Sequence, residues 1–231
     1  MGAMDGTRSK KAKDRTITWF PLDRIDELEG AILDQLRDRK RARRRDALAC
    51  ALGLSGLRSG EVSQLALSDL QVPLRRLRVR TLKGGPERAL ALHESLVREL
   101  LGWRGLDRQR LLFAKLAPSS LLLPNNRGGQ VRREQFNAMA KRLFDELLGS
   151  PLHGLTFHGL RHTFAMRVYQ ESRDLFLTQR LLGHSSVQTT EIYAKSLATI
   201  PEGCLVKLGK SRLADVITVV GLDSLDAAKA G

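Results

Sequence analysis

The chain has 231 residues, 42% of them hydrophobic, which is enough for one sizeable domain with tails. It carries 39 Lys and Arg against 25 Asp and Glu, a net charge of +14 and a pI near 10.5. Such an excess resists compaction unless a polyanion relieves it, and nucleic acid is the commonest such partner, with an anionic membrane surface second. No apolar run approaches the about 20 residues of a membrane span and no apolar signal core opens the chain, so a membrane-spanning or secreted protein is not expected and a cytoplasmic one is.

Residues 1–15 are polar, with the basic group Lys10-Lys11-Ala12-Lys13, and read as a disordered basic tail; Met1-Gly2-Ala3-Met4 resembles a cloning remnant. From Leu22 to Leu36 the spacing Leu22, Ile25, Leu28, Ile32, Leu36 predicts an amphipathic helix. Next comes the densest basic run, residues 37–45. It has two readings, a solvated helix end or a strip of phosphate contacts. The Ala/Leu-rich segment 46–54 reads as a buried helix, and Cys50 within it as a buried core thiol. The other cysteine, Cys204, belongs to no metal-ligand cluster either.

Gly53, Gly56 and Gly60 punctuate a turn, and a short helix is predicted through Val62, Leu65 and Leu67. Residues 76–81 and 88–92 alternate as strands around Lys83-Gly84-Gly85-Pro86, which predicts a hairpin with Lys83 at its tip. A helix is expected over 93–103 and irregular chain over 104–130, where Pro118, Pro124 and Asn125-Asn126-Arg127-Gly128-Gly129 are loop chemistry. Residues 132–148 read as a helix with Phe136, Met139, Leu143, Phe144 and Leu147 on one side. Three more helices are expected at about 157–170, 174–182 and 186–194, and an apolar patch, 213–222, as a strand or docking helix. The fold class is mainly α with a small antiparallel β-sheet.

Chemistry concentrates in two segments. In His158-Gly159-Leu160-Arg161-His162, positions i and i+3 share a helix face, so His158 and Arg161 point the same way; Thr156 is placed to cap that helix. Histidines at i and i+4 suggest zinc, but Gly159 stands where a zinc-protease helix needs its glutamate, and no third ligand is evident. A core histidine is the other reading, and it suits His162 better than His158. In Leu182-Gly183-His184 to Tyr193, Gly183 should stop one helix and Ser185 or Ser186 cap the next. His184 then lies in the turn and Tyr193 at the following helix end. The only other tyrosine, Tyr169, falls on a helix with an apolar face and reads as core packing.

Three boxes, Gly56-Leu57-Arg58-Ser59-Gly60-Glu61, Leu160-Arg161-His162-Thr163-Phe164-Ala165 and Leu182-Gly183-His184 to Tyr193, resemble the signature of the tyrosine recombinase (phage integrase) family over about residues 17–200. The resemblance implies that family's catalytic-domain fold and DNA breakage and rejoining at specific sites. It implies Arg58 and Arg161 as the catalytic arginines, Lys83 as the hairpin lysine and His158 as the histidine three before the second arginine. It further implies His184 at the position held by histidine or tryptophan, Tyr193 as nucleophile, and Glu61 as support for the first arginine. Lys115 is a second loop lysine that could stand in for Lys83.

Chemistry explains these types. Two guanidinium forks neutralise the non-bridging oxygens of a phosphodiester, where further charge builds up in the transition state. A phenol of pKa about 10 is roughly a thousandfold under-ionised at neutral pH, so it needs nearby positive charge and a proton acceptor. His158 is the candidate acceptor, and Lys83 the donor to the leaving 5′ oxygen. The phosphotyrosine keeps the bond energy, so rejoining needs no ATP. No cofactor and no metal are expected.

The resemblance also implies double-stranded DNA as partner and a homo-oligomer, dimer to tetramer, on it. Members normally carry a separate helical DNA-clamp domain ahead of the catalytic one, whereas about 16 residues stand there here. The expectation is an excised catalytic domain (16–200) or a minimal member, with weaker DNA affinity and site selectivity. Residues 201–231 are expected to dock in cis or onto a neighbouring protomer. Competing classes are a type IB topoisomerase, a catalytically idle DNA-binding module and a zinc hydrolase.

Overall fold

A computed structural model describes residues 18–80, 87–148 and 155–183. Lys83, His184, Tyr193 and Cys204 lie outside the described residues, as do the helix expected at 186–194 and the apolar patch at 213–222.

Seven α-helices and one small sheet make up the described fold: α1 (Ile25–Leu36), α2 (Arg41–Leu54), α3 (Ser59–Gln64), α4 (Glu94–Phe113), α5 (Arg133–Leu148), α6 (Phe157–Ser172) and α7 (Leu175–Leu182). The sheet holds β1 (Leu70–Gln71), β2 (Arg76–Val79) and β3 (Arg88–Ala91), in that order and antiparallel throughout. The mainly helical class with a small antiparallel sheet is therefore what the chain adopts, with one strand more than expected. Leu70 pairs with Leu77, and a strand of two residues is too short to display alternation. None of the described helices is long and apolar enough to cross a membrane.

At the centre stands α2. Residues Ala47 to Leu54 are all buried, and the helix packs against α1, α4, α5 and α6. A helix apolar on every side is stable only when enclosed, and the stripe Leu28, Ile32, Leu36 of α1 supplies one wall. Stacked Phe20 and Phe144, with centroids 5.7 Å apart, supply another. Cys50 is a free thiol in this core, and burial pushes its pKa up, so it is inert packing.

Two glycines bring α2 against α6. A Cβ on Gly53 would stand 2.9 Å from the Phe157 ring, so the bare backbone permits the close crossing. Gly56 then turns the chain at φ +90°, and a Cβ there would meet the Phe164 ring at 2.8 Å. An alanine in left-handed backbone loses about 1–2 kcal/mol, and overpacking adds about 1–3 kcal/mol. Gly56→Ala should accordingly lower the urea midpoint by that sum divided by m, with an unchanged m-value; an unaltered midpoint would contradict this packing.

Four arginines of the basic run, Arg41, Arg43, Arg44 and Arg45, are paired, while Arg37, Arg39 and Lys40 are exposed. Helix α2 starts at Arg41, within the run and before the expected start at residue 46. Arg41 binds the Asp107 carboxylate and Asn126 and lies over the Trp103 ring. Arg43 pairs with Asp38, Arg44 with Glu99 and Arg45 with Asp46. These arginines occupy the end of α2 opposite Arg58, about 14–20 Å from Leu54 at 1.5 Å rise per residue. The run thus tightens the helix packing, and its charge sits far from the Arg58 turn.

The expected irregular stretch 104–130 is helical as far as Phe113. Leu96, Leu100, Trp103, Asp107 and Leu111 form one buried stripe. Asp107 interrupts its apolar pattern, yet is fully enclosed because Arg41, Arg104 and Arg110 neutralise it. Beyond α4, the Asn125 side chain accepts from the Arg127 and Gly129 amides and donates to Gln130, which shapes the loop leading to α5.

Candidate active site

The C-terminus of α2, the N-terminus of α3, the start of α6 and the end of α7 converge. Arg58 is the residue immediately before α3, and Glu61 in the first turn accepts its backbone N–H at 2.8 Å, one half of a capping box. The same carboxylate accepts from Arg58 Nη1 at 2.9 Å, and from both terminal nitrogens of Arg88 at 3.0 and 2.8 Å. Arg161 Nη1 lies 3.8 Å from it. One buried carboxylate thus gathers three guanidiniums, leaving the cluster two positive charges in excess (three minus one). Burial by itself would raise the Glu61 carboxyl. The hydrogen bonds and charge of Arg88, the Arg58 amide and the charge of Arg161 outweigh it and hold the group below the usual carboxylate range.

Arg161 has 0% side-chain exposure. It donates to the carbonyl of Gly56 and, at 2.7 Å, to that of Leu182. A single side chain of α6 therefore ties the turn after α2 to the end of α7. That end is closed by Gly183 at φ +65°, the helix stop expected from the sequence. Arg58, with 34% of its side chain accessible, is the cluster's opening to solvent.

His158 lies on the first turn of α6, one turn before Arg161. Thr156 takes the N-cap position but makes no side-chain capping hydrogen bond. The His158 and His162 rings meet edge to face, with centroids 4.4 Å apart. Among the described residues, no group of three or more His, Cys, Asp or Glu could hold a metal ion. His158 is solvent-exposed by its surface area, although many atoms crowd its ring. Desolvation of the ring, then repulsion from Arg161, Arg58 and Arg133, pushes its pKa down to about 4. His158 is therefore neutral throughout the physiological range.

The sign is testable. An unfolded chain protonates this histidine near pH 6.5, the folded one only near 4. Its neutral burial thus favours the folded state fully above pH 6.5, and that advantage is lost as the pH falls towards 4. An NMR titration should show the His158 Cε1–H resonance, assigned with His158→Gln, unmoved until below pH 5. A midpoint near 6.5 would overturn this electrostatic picture.

Beside Arg58 a groove of about 380 Å³ runs between α3 and the segment entering α5. Ser59, Ser63 and Gln64 line one bank, and Gln130, Arg132 and Arg133 the other. Arg133, which lines this groove, also acts electrostatically on His158.

Of the six expected site residues, Arg58, His158 and Arg161 are thus brought together, while Lys83, His184 and Tyr193 lie outside the described residues. Lys115, the other loop lysine, follows the end of α4 in left-handed backbone. Arg88 was not expected. Its only sequence signal is a cation at the first residue of a strand with a partly buried side, and its partner Glu61 is 27 positions away.

A sequence model described as Phage integrase family matches residues 25–199. The chain is 31% identical over 192 residues to the tyrosine recombinase XerC of Roseiflexus sp. (strain RS-1), spanning 82% of this chain and 58% of that protein. It is 35% identical over 148 residues to the tyrosine recombinase XerD of Yersinia pestis, covering 64% and 48% respectively. Among solved structures, the XerH site-specific recombinase bound to palindromic difH substrate, a post-cleavage complex, superposes with TM-score 0.65 at 24% identity, over 81% of this chain and 52% of that one. XerA recombinase superposes with TM-score 0.62 at 25% identity, covering 81% and 62%. The chain thus spans a little over half the length of the XerC protein it matches. With the family match running through all three boxes, and the arginines of two of them meeting at one carboxylate, the chain belongs to the phage integrase family.

Proposed function

We propose that this protein is a site-specific DNA recombinase, which breaks and rejoins strands through a 3′-phosphotyrosine intermediate on Tyr193. The observation that carries the reading is the Glu61 cluster: three guanidiniums on one buried carboxylate, two surplus positive charges, with a neutral histidine beside them. A scissile phosphodiester is an anion that gains charge as it is attacked, and fixed guanidinium donors favour that change. Arg58 meets the phosphate from the solvent side. Arg161 supplies charge and rigidity from beneath, its amino groups already oriented by the Gly56 and Leu182 carbonyls.

In this mechanism the Tyr193 phenol oxygen attacks phosphorus, and its proton passes to His158. The bond from phosphorus to the 5′ oxygen breaks, and that oxygen takes a proton from Lys83. His184 hydrogen-bonds the phosphate. Rejoining reverses each transfer, with a 5′ hydroxyl attacking the phosphotyrosine. Residues 16–200 form the catalytic region in this reading, and residues 201–231 dock in cis or onto a neighbour. Double-stranded DNA lies along the groove, the protein assembles as a dimer to tetramer upon it, and it works in the cytoplasm. The solved XerH complex, bound to its DNA substrate, supports the choice of partner.

The test is covalent capture. The whole chain is incubated with a library of nicked duplexes of randomised sequence, denatured in detergent, and its adducts are sequenced. Recovery of a preferred sequence linked through a 3′ phosphate supports the reading. Relaxation of generic supercoiled plasmid without sequence preference would point to a type IB topoisomerase instead. Binding without any adduct would point to an idle DNA-binding module.

A further inference from the structure

We propose that Arg88 is a positioning residue for strand cleavage, which aligns Arg58 through Glu61 and buttresses the turn that leads to His184. The inference rests on the recombinase reading above. It begins from geometry. Arg88 is the first residue of β3, registered against Val79 at the last described pair of the hairpin, and follows Lys83 by five positions in the chain. Its two terminal nitrogens donate to the two carboxylate oxygens of Glu61, at 3.0 and 2.8 Å. Only 12% of its side chain is accessible, and 1% of that of Glu61. This is the bidentate fork that gives both strength and direction.

Without Arg88, the Glu61 carboxylate would keep one bond to the Arg58 amide and one to Arg58 Nη1, with Arg161 3.8 Å away. Arg88 adds a second bond to each oxygen, so Arg58 Nη1 meets an acceptor that is fixed from β3 as well as from its own turn. The orientation of Arg58 is thereby set in part from β3.

A second contact leads to the opposite side of the cluster. A Cβ on Gly183 would lie 3.1 Å from Arg88 Nη1 and 3.3 Å from its Cδ, so the Arg88 side chain packs directly against the glycine that closes α7. His184 is the next residue in the chain. From the strand that follows the Lys83 segment, Arg88 therefore touches both the Arg58 carboxylate anchor and the residue before His184.

The experiment uses the full chain and a nicked duplex recovered by the capture above, with wild type and Tyr193→Phe run first. If those two do not differ in adduct formation, the recombinase reading itself fails, and Arg88 is not the cause. If they do differ, Arg88→Gln and Arg88→Lys are compared in single-turnover cleavage at saturating enzyme, in DNA affinity and in thermal melting. Lysine keeps the charge and gives the test a second variant where glutamine does not fold.

The expected result is cleavage about 10–100-fold slower, as for other residues that orient a reacting group from behind, with DNA affinity within about two-fold of wild type at temperatures where the variants are folded. The acid limb of the pH–rate profile should also move upwards. The groups facing Glu61 are Arg58, Arg88, Arg161 and His158, and losing the Arg88 fork lets its carboxyl protonate at a higher pH. A folded variant that cleaves at the wild-type rate with an unshifted profile overturns the proposal, as does a loss accounted for entirely by weaker DNA binding.

Discussion

Arg161→Ala is expected to reduce single-turnover cleavage by at least about a hundredfold, the usual consequence of removing one preorganised donor from a charge-developing centre. Stability should fall with it. Arg161 is fully buried, and truncation strips the donor from the Gly56 and Leu182 carbonyls and one of three cations from around Glu61. Breaking a buried charge network of this kind costs about 3–5 kcal/mol. Arg161→Lys separates the two effects. An ammonium restores the charge but cannot bridge two carbonyls in a plane, so urea midpoints should recover further than adduct formation does. Cleavage by Arg161→Ala at the wild-type rate, measured on folded protein, would remove this side chain from the mechanism.

Tyr193→Phe is expected to eliminate the covalent adduct altogether while leaving DNA affinity intact. The substitution deletes a single oxygen, and without it no ester to phosphorus can form. This is a categorical loss, unlike the graded losses expected for the arginines and for His158. Tyr169 provides the internal control. It is half-buried on α6, packed against the small core of Leu22, Phe164, Val168 and Leu177, and Tyr169→Phe should form the adduct at the wild-type rate. Peptide mapping of the trapped species to Tyr169, or an adduct persisting in Tyr193→Phe, would show that the nucleophile has been misassigned.

Much of this structure was legible from residue spacing, and the exceptions have physical reasons. The stripe of α1, the stripe of α5 and the Gly183 helix stop depend on neighbours within a few positions, and all three appear as expected. The second half of α4 was missed because its buried stripe passes through Asp107, a charge that sequence periodicity counts as solvent-facing. Its acceptance inside depends on Arg41, 66 positions earlier, and pattern reading cannot see that far. The start of α2 was placed too late for the related reason that its arginines have carboxylate partners scattered along the chain. Within the site, Arg58, His158 and Arg161 were found through boxes whose order is itself a pattern. Arg88 stands in no such box, and only folding reveals that it shares a carboxylate with Arg58 and Arg161.

The Arg161 bridge between the Gly56 and Leu182 carbonyls has a further consequence. The geometry of the charge cluster and the docking of α7 depend on the same side chain. A chain whose last described helix has peeled away keeps most of its secondary structure but no longer holds its charge cluster in register. In the proposed mechanism, a half-melted copy would therefore lack the phosphate site as well as the packing.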